Sequence, residues 1–99
     1  MPTVLFVGAG RNQRRGIARL RELGAQVVAV DKNPDAQGLA DADVGEPVDF
    51  TDVAAVADVG RKHSVDGVLT FAADRAVPVV AAVAEELGLP GIGSPTAHL

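Results

Sequence analysis

Two short apolar runs, Val4 to Val7 and Val27 to Val30, are continuous rather than alternating. A strand with one wet face alternates polar and apolar residues, whereas a strand covered by helices on both faces does not. The runs therefore predict parallel strands buried in an α/β sandwich. Between them, Arg11 to Leu23 has helical spacing and stops before Gly24, which fits the position just past a helix. At about 100° per residue, Gln13, Gly16, Ile17, Leu20 and Leu23 share the side that faces the sheet. Arg11, Arg15, Arg19 and Glu22 fall opposite.

The remaining chain continues the alternation. Lys32 to Asp49 contains Pro34, Gly38, Gly45 and Pro47 and reads as a long loop with one short strand near Val44. Thr51 is placed to cap a helix reaching about His63, with Val53, Val56, Ala57 and Gly60 inward. Gly67 to Phe71 reads as a strand. Asp74 is placed to cap the next helix, whose first turn tolerates Pro78 and whose buried stripe is Val80, Val83, Ala84 and Leu87. Gly88 ends it, and Leu89 to Ile92 reads as a last short strand. Right-handed crossovers then give a three-layer, Rossmann-like α/β domain with a mainly parallel sheet of four to five strands in the order 3-2-1-4-5. The direction of growth reverses between the first strand and the Gly67–Phe71 strand, so a ligand crevice is expected there.

Ninety-nine residues make one domain. There is no cysteine, which removes disulfides, thiolate metal sites and a cysteine nucleophile. The net charge of −4 argues against general nucleic-acid affinity, and no apolar run approaches membrane-spanning length. A cytoplasmic location is the expectation. The charge is unevenly laid out: five of nine basic residues (Arg11, Arg14, Arg15, Arg19, Arg21) lie on the first helix. Seven of thirteen acidic residues fall between Asp31 and Asp52. The local positive patch suits a small anion or a partner, and a solvated helix face accounts for most of those arginines.

The crevice is rimmed by Gly8–Gln13 on one side and Phe71–Arg75 on the other. Gly8, Ala9 and Gly10 form a glycine turn that presents N–H groups at a helix start, a favourable place for phosphate or carboxylate. Arg11 and Arg14 are placed to add charge-assisted bonds. A dinucleotide fingerprint would carry a third glycine or alanine where Gln13 stands, and Gly16 is a candidate for its packing role one turn later. Gln13 either bonds a polar substrate or packs at the sheet edge against backbone. Asp31 ends the second strand, where a carboxylate can take the ribose hydroxyls of NAD or simply start a polar turn. Asp74 and Arg75 stand on the far wall of the crevice. Asp41 and Asp43 read as solvated rather than cation-binding. His63 fits the positive end of a helix, and His98 has no metal-ligand spacing to any partner. No nucleophile–base–orienter set and no P-loop lysine motif is present, so no catalytic residue is assigned.

The stretches VLFVGAGRNQRRGIARLRELGAQVVAVDKNPDAQGLADAD and DGVLTFAADRAVPVVAAVAEELGLPGIGSPTA together resemble the N-terminal domain of ATP-grasp ligases. That superfamily includes biotin carboxylase, carbamoyl phosphate synthetase, D-alanine–D-alanine ligase and purine-pathway enzymes acting on ribonucleotides. The resemblance covers essentially the whole chain. It implies an enzyme that turns a carboxylate into an acyl phosphate with ATP and Mg²⁺, for attack by an amine-type nucleophile. The nucleotide and metal would be held by central and C-terminal lobes following residue 99. This domain would serve as substrate-binding scaffold, packed on those lobes and inactive alone. By the same resemblance, Gly8, Ala9, Gly10, Arg11, Gln13, Asp74 and Arg75 would face a small anionic substrate, and the loop after Asp31 would be surface. Some purine-pathway relatives carry glutamate where Asp74 stands. A homodimer is left open.

The rival reading is an NAD-binding regulatory domain of the potassium-transport type, with Gly8, Gly10 and Asp31 on the dinucleotide. Gln13 and the segment DRAVPVVAAVAEELGLPG count against it. A third reading is an orphan interaction module that works with a separate ATP-grasp chain.

Overall fold

A computed structural model describes residues 2–70, 76–89 and 91–92. Five strands form one sheet: β1 (Thr3–Val7), β2 (Gln26–Val30), β3 (Val44–Glu46), β4 (Gly67–Leu69) and β5 (Gly91–Ile92). Their order is β3-β2-β1-β4-β5 and every pairing is parallel, as the two apolar runs require. β1 is central, with Val4 opposite Val27 on one side and Gly67 on the other. Among the described residues, four α-helices connect the strands: α1 (Arg14–Glu22), α2 (Gln37–Asp41), α3 (Val53–His63) and α4 (Val77–Leu87).

The sheet divides the core into two layers. Leu5, Val7, Val28, Val30 and Val68 pack with Val56, Ala57, Val80 and Val83 of α3 and α4. Phe6, Val27 and Ala29 pack on the opposite side with Ile17 of α1 and Leu39 of α2. Successive strand residues thus point to opposite layers and both are dry, which is why the runs show no alternation.

Four local expectations need correction. The first helix opens as a 3₁₀ turn over Arg11–Gln13 and becomes α-helical only from Arg14. It stops at Glu22, so Leu23 lies at the C-cap, 66% exposed, and not on the sheet side. Gly24 follows with φ +94°, the left-handed conformation that ends the helix. The cap of α3 is Asp52, which accepts from Ala55 N at 3.2 Å, because Asp49 takes the Thr51 hydroxyl at 2.8 Å. The long loop after Asp31 contains α2, which a stretch rich in proline and glycine did not announce. The outer part of the Gly67–Phe71 strand and the Asp74 cap lie partly outside the described residues; α4 itself starts with Ala76 at its N-cap and Pro78 in its first turn.

Ion pairs hold α2 to α1. Arg14 bonds both carboxylate oxygens of Asp41, Nε at 2.6 Å and Nη2 at 3.2 Å, and reaches Gln37 at 3.3 Å. Arg21 donates to the Asp41 carbonyl at 2.9 Å and pairs with Asp43 at 3.2 Å. Asp43 in turn accepts from Val27 N at 2.7 Å. The two aspartates, expected to be merely solvated, are half-buried and act as fasteners. His63 and Lys62 both meet Glu46, at 2.9 and 3.1 Å, which gives the histidine a structural partner.

Truncating Ile17, the fully buried residue of α1, to alanine should destabilise the fold by about 2–5 kcal/mol in chemical denaturation. Leu23→Ala should stay within about 0.5 kcal/mol of the parent protein, the opposite of what a sheet-facing Leu23 would give. The Arg14 guanidinium bonded to it holds the Asp41 carboxyl below its ordinary value of 3.8. A lowered acid is charged and paired above that ordinary value, and its stabilising effect is lost as pH falls through the lowered one. Carbon-13 titration of Asp41 should therefore show a midpoint below 3.8 that rises in Arg14→Ala.

Candidate functional site

The strongest site is the turn that carries the chain from β1 into the first helix. Gly8 adopts φ +92°, a conformation that side chains disfavour, and donates to Val30 O at 2.9 Å. Ala9 N donates to Asp31 Oδ2 at 3.0 Å, and Ala9 O accepts from Gly38 N at 2.7 Å. Gly10 is extended and its carbonyl accepts from Gln13 N at 3.0 Å, closing the 3₁₀ turn. At the end of β1, Val7 O accepts from the Thr70 hydroxyl at 2.7 Å. The last carbonyl of β1 is thereby tied to the residue that follows β4, across the strand pair where the sheet reverses growth.

This accounting leaves a defined set of backbone donors. Among the described residues, the N–H groups of Gly10, Arg11 and Asn12 have no acceptor. They are the first-turn donors of a helix start, where partial positive charge collects. Exposed Arg11 and Arg15 stand beside them and, among the described residues, pair with no carboxylate. Both border a groove of about 980 Å³ between α1 and α2 that Arg14 and Arg21 also line.

The structure brings Gly8, Ala9, Gly10, Arg11, Gln13 and Asp31 together around the turn. Asp74 and Arg75, expected on the far wall, lie outside the described residues. Gln13 is buried, 8% exposed, and its Oε1 would be 3.0 Å from a Cβ at Gly10, so the amide fills the space beneath that residue. Arg14, expected to assist a ligand, is instead committed to Asp41 and Gln37. Asp31 has both oxygens in use, since Oδ1 accepts from Asn33 N at 3.0 Å while Oδ2 holds Ala9.

Two contributors escaped the sequence reading. Gly38 is buried on α2 with its backbone against the turn, where a Cβ would stand 2.5 Å from Ala9 O. The stretch after Asp31 is thus partly packing for the site rather than surface throughout. Thr70, 4% exposed, is the other; its hydroxyl inside the run VLTF was the available signal. Gly16, expected to pack closely like a third fingerprint glycine, is half-buried and borders an open apolar hollow with Phe6 and Leu69. Gly38 makes a close approach of its own, to the backbone of Ala9. Among the described residues no three His, Cys, Asp or Glu side chains converge to hold a metal ion. No helix among them is long and apolar enough to cross a membrane.

Comparison with known proteins gives this geometry a family. The formate-dependent phosphoribosylglycinamide formyltransferase of Burkholderia lata is 43% identical over 53 residues, 54% of this chain and 13% of that protein. The solved structure of glycinamide-RNase-transformylase T from Mycobacterium tuberculosis superposes with a TM-score of 0.72 at 29% identity, over 96% of this chain and 26% of that one. An N5-carboxyaminoimidazole synthetase from Staphylococcus aureus, solved with ADP, shares the fold with a TM-score of 0.72 at 18% identity, over 92% of this chain and 23% of that one. The chain therefore spans about a quarter or less of the proteins it matches. The ATP-grasp N-terminal domain model matches residues 19–91, and the chain belongs to that family.

Proposed function

We infer that this domain binds the amine-bearing acceptor of an ATP-dependent carboxylate–amine ligase, and that the acceptor is a phosphoribosyl amine such as phosphoribosylglycinamide. The observation that carries the reading is the row of N–H groups at Gly10, Arg11 and Asn12, which have no acceptor among the described residues, on a helix start that also bears the exposed Arg11 and Arg15. Such a row is suited to a compact anion such as a phosphate monoester. The names of the relatives supply the substrate class: phosphoribosylglycinamide acceptors and, for the formyltransferase, formate as the carboxylate.

In that chemistry a formate oxygen takes the γ-phosphoryl group of ATP, releasing ADP. The acceptor amine then attacks the formyl carbon; the C–O bond to phosphate breaks, phosphate leaves and the amine loses a proton. The chain's own part is to bind and orient the acceptor through the backbone donors of the turn. ATP and its metal belong to further lobes, on the same or a partner chain, against which the domain would pack.

A dinucleotide fits less well. Both oxygens of Asp31 already accept backbone N–H groups that hold the turn and the following loop, so recruiting it for a ribose would compete with the turn's own support. The buried Gln13 occupies the space under Gly10 that a fingerprint glycine leaves for close helix packing.

Titration of the ¹⁵N-labelled chain with phosphoribosylglycinamide should move the amide signals of Gly10, Arg11 and Asn12. Arg11→Ala should weaken binding roughly tenfold or more, the worth of a charge-assisted bond, with a smaller effect at high salt. Micromolar NADH binding weakened by Asp31→Ala, with no response to the phosphoribosyl amine, would overturn the reading.

A further inference from the structure

Gly38 lies far from the turn in sequence and on a helix of only five residues, yet it makes the shortest backbone contact to the turn, 2.7 Å from its N to Ala9 O. Ala9 O and Gly10 N belong to the same peptide unit. That unit is planar and trans, so its C=O and N–H point in opposite directions. Anchoring Ala9 O on α2 therefore aims the Gly10 N–H away from α2. We propose that Gly38 is a positioning residue: through the Ala9–Gly10 peptide it sets the direction of the first free donor of the substrate turn.

Three observations support this. The contact leaves no room for any side chain, since a Cβ on Gly38 would lie 2.5, 2.9 and 3.0 Å from Ala9 O, C and Cα, all backbone atoms that cannot swing aside. The other peptide of Ala9 is fixed independently by Asp31 at 3.0 Å, and Ala9 is fully buried, so the turn cannot absorb a push by sliding as a whole. It can only rotate the Ala9–Gly10 unit, which moves the Gly10 donor. Finally, α2 is a firm anchor because Arg14 and Arg21 both grip Asp41 at its end. The function assigned to Gly38 rests on the substrate reading of the turn, whereas its control of the Gly10 donor is a property of the free protein.

The test therefore has two arms. In the free protein, a scalar coupling across the hydrogen bond from Gly38 N–H to Ala9 C′ is expected, and its absence from the unaltered chain would overturn the proposal even if no variant folds. In Gly38→Ala, the residual dipolar coupling of Gly10 N–H should change while those of β1 and β2 stay as in the parent; an unchanged Gly10 coupling also overturns it. In the second arm, Gly38→Ala should bind phosphoribosylglycinamide about tenfold or more weakly, the scale of one hydrogen bond to a charged group. Gly60→Ala is the matched control: its Cβ would crowd Leu87 at 2.7 Å on the opposite side of the sheet. It should lower the melting temperature yet leave affinity within about twofold, since a loss of stability alone does not alter binding by the folded population. Equal loss of affinity in both variants would mean that Gly38 is merely structural. If the unaltered chain ignores the ligand but Gly10 still turns in Gly38→Ala, the substrate reading fails and the positioning geometry stands.

Discussion

The fold depends on one tight backbone passage, the exit of the central strand into the first helix. β1 is flanked by neighbours on both sides, so the chain can leave only at the strand end and must rise at once into a helix covering the sheet. Within four residues it has to reverse its curvature and satisfy its buried polar groups. Gly8 supplies the positive φ, and Val30, Asp31, Gly38 and Thr70 supply hydrogen-bond partners from three other segments. Each buried group left unpaired there would cost about 1–3 kcal/mol, which is a large part of the stability of a small domain. The passage thus requires β2, α2 and the end of β4 to be in place together.

That requirement explains how the charges are spent. Five arginines on the first helix and its opening turn look like a ligand-binding surface, yet two of them, Arg14 and Arg21, are occupied in holding α2. Arg14 and Arg21 pair with Asp41 and Asp43, and Asp43 also ties back to the edge of β2. Such half-exposed pairs contribute little individually. Their effect is to hold a five-residue helix that could not persist by itself, and through it the glycine that supports the turn. Arg11 and Arg15, at the helix start, pair with no carboxylate among the described residues.

The parts legible in the sequence were those whose pattern is local. Continuous apolar runs gave the parallel sheet and, with right-handed crossovers, its order; Gly24 and Gly88 marked helix ends because the left-handed cap is a property of the residue itself. What stayed hidden is fixed from a distance. α2 has a weak helical signal between Pro34 and Gly45 and exists because Arg14, Arg21 and Ala9 hold it. Leu23 was misplaced because a constant 100° step was carried past the real end of the helix, and because the opening 3₁₀ turn winds about 120° per residue. Asp31 was recognisable as important, but its partner could be known only once Ala9 lay beside it. The turn residues from Gly8 to Gln13 were identified as a group, while Gly38 and Thr70 were not, since neither belongs to a motif.

The position of that hidden glycine bears on how a nucleotide-binding turn can acquire another use. In the dinucleotide arrangement the third glycine lies on the first helix and lets that helix sit close to the strand, which opens the turn to a pyrophosphate. Here a glycine on α2 also approaches the turn closely, from the other flank. Helix position 13 holds a long amide, which fills the volume under Gly10 and narrows what the turn can receive. The contact from α2 brings its own control: the peptide that offers the first donor is set by an element tied to α1 through ion pairs. Under the proposed function, a turn built this way suits a short anion held by a few N–H groups.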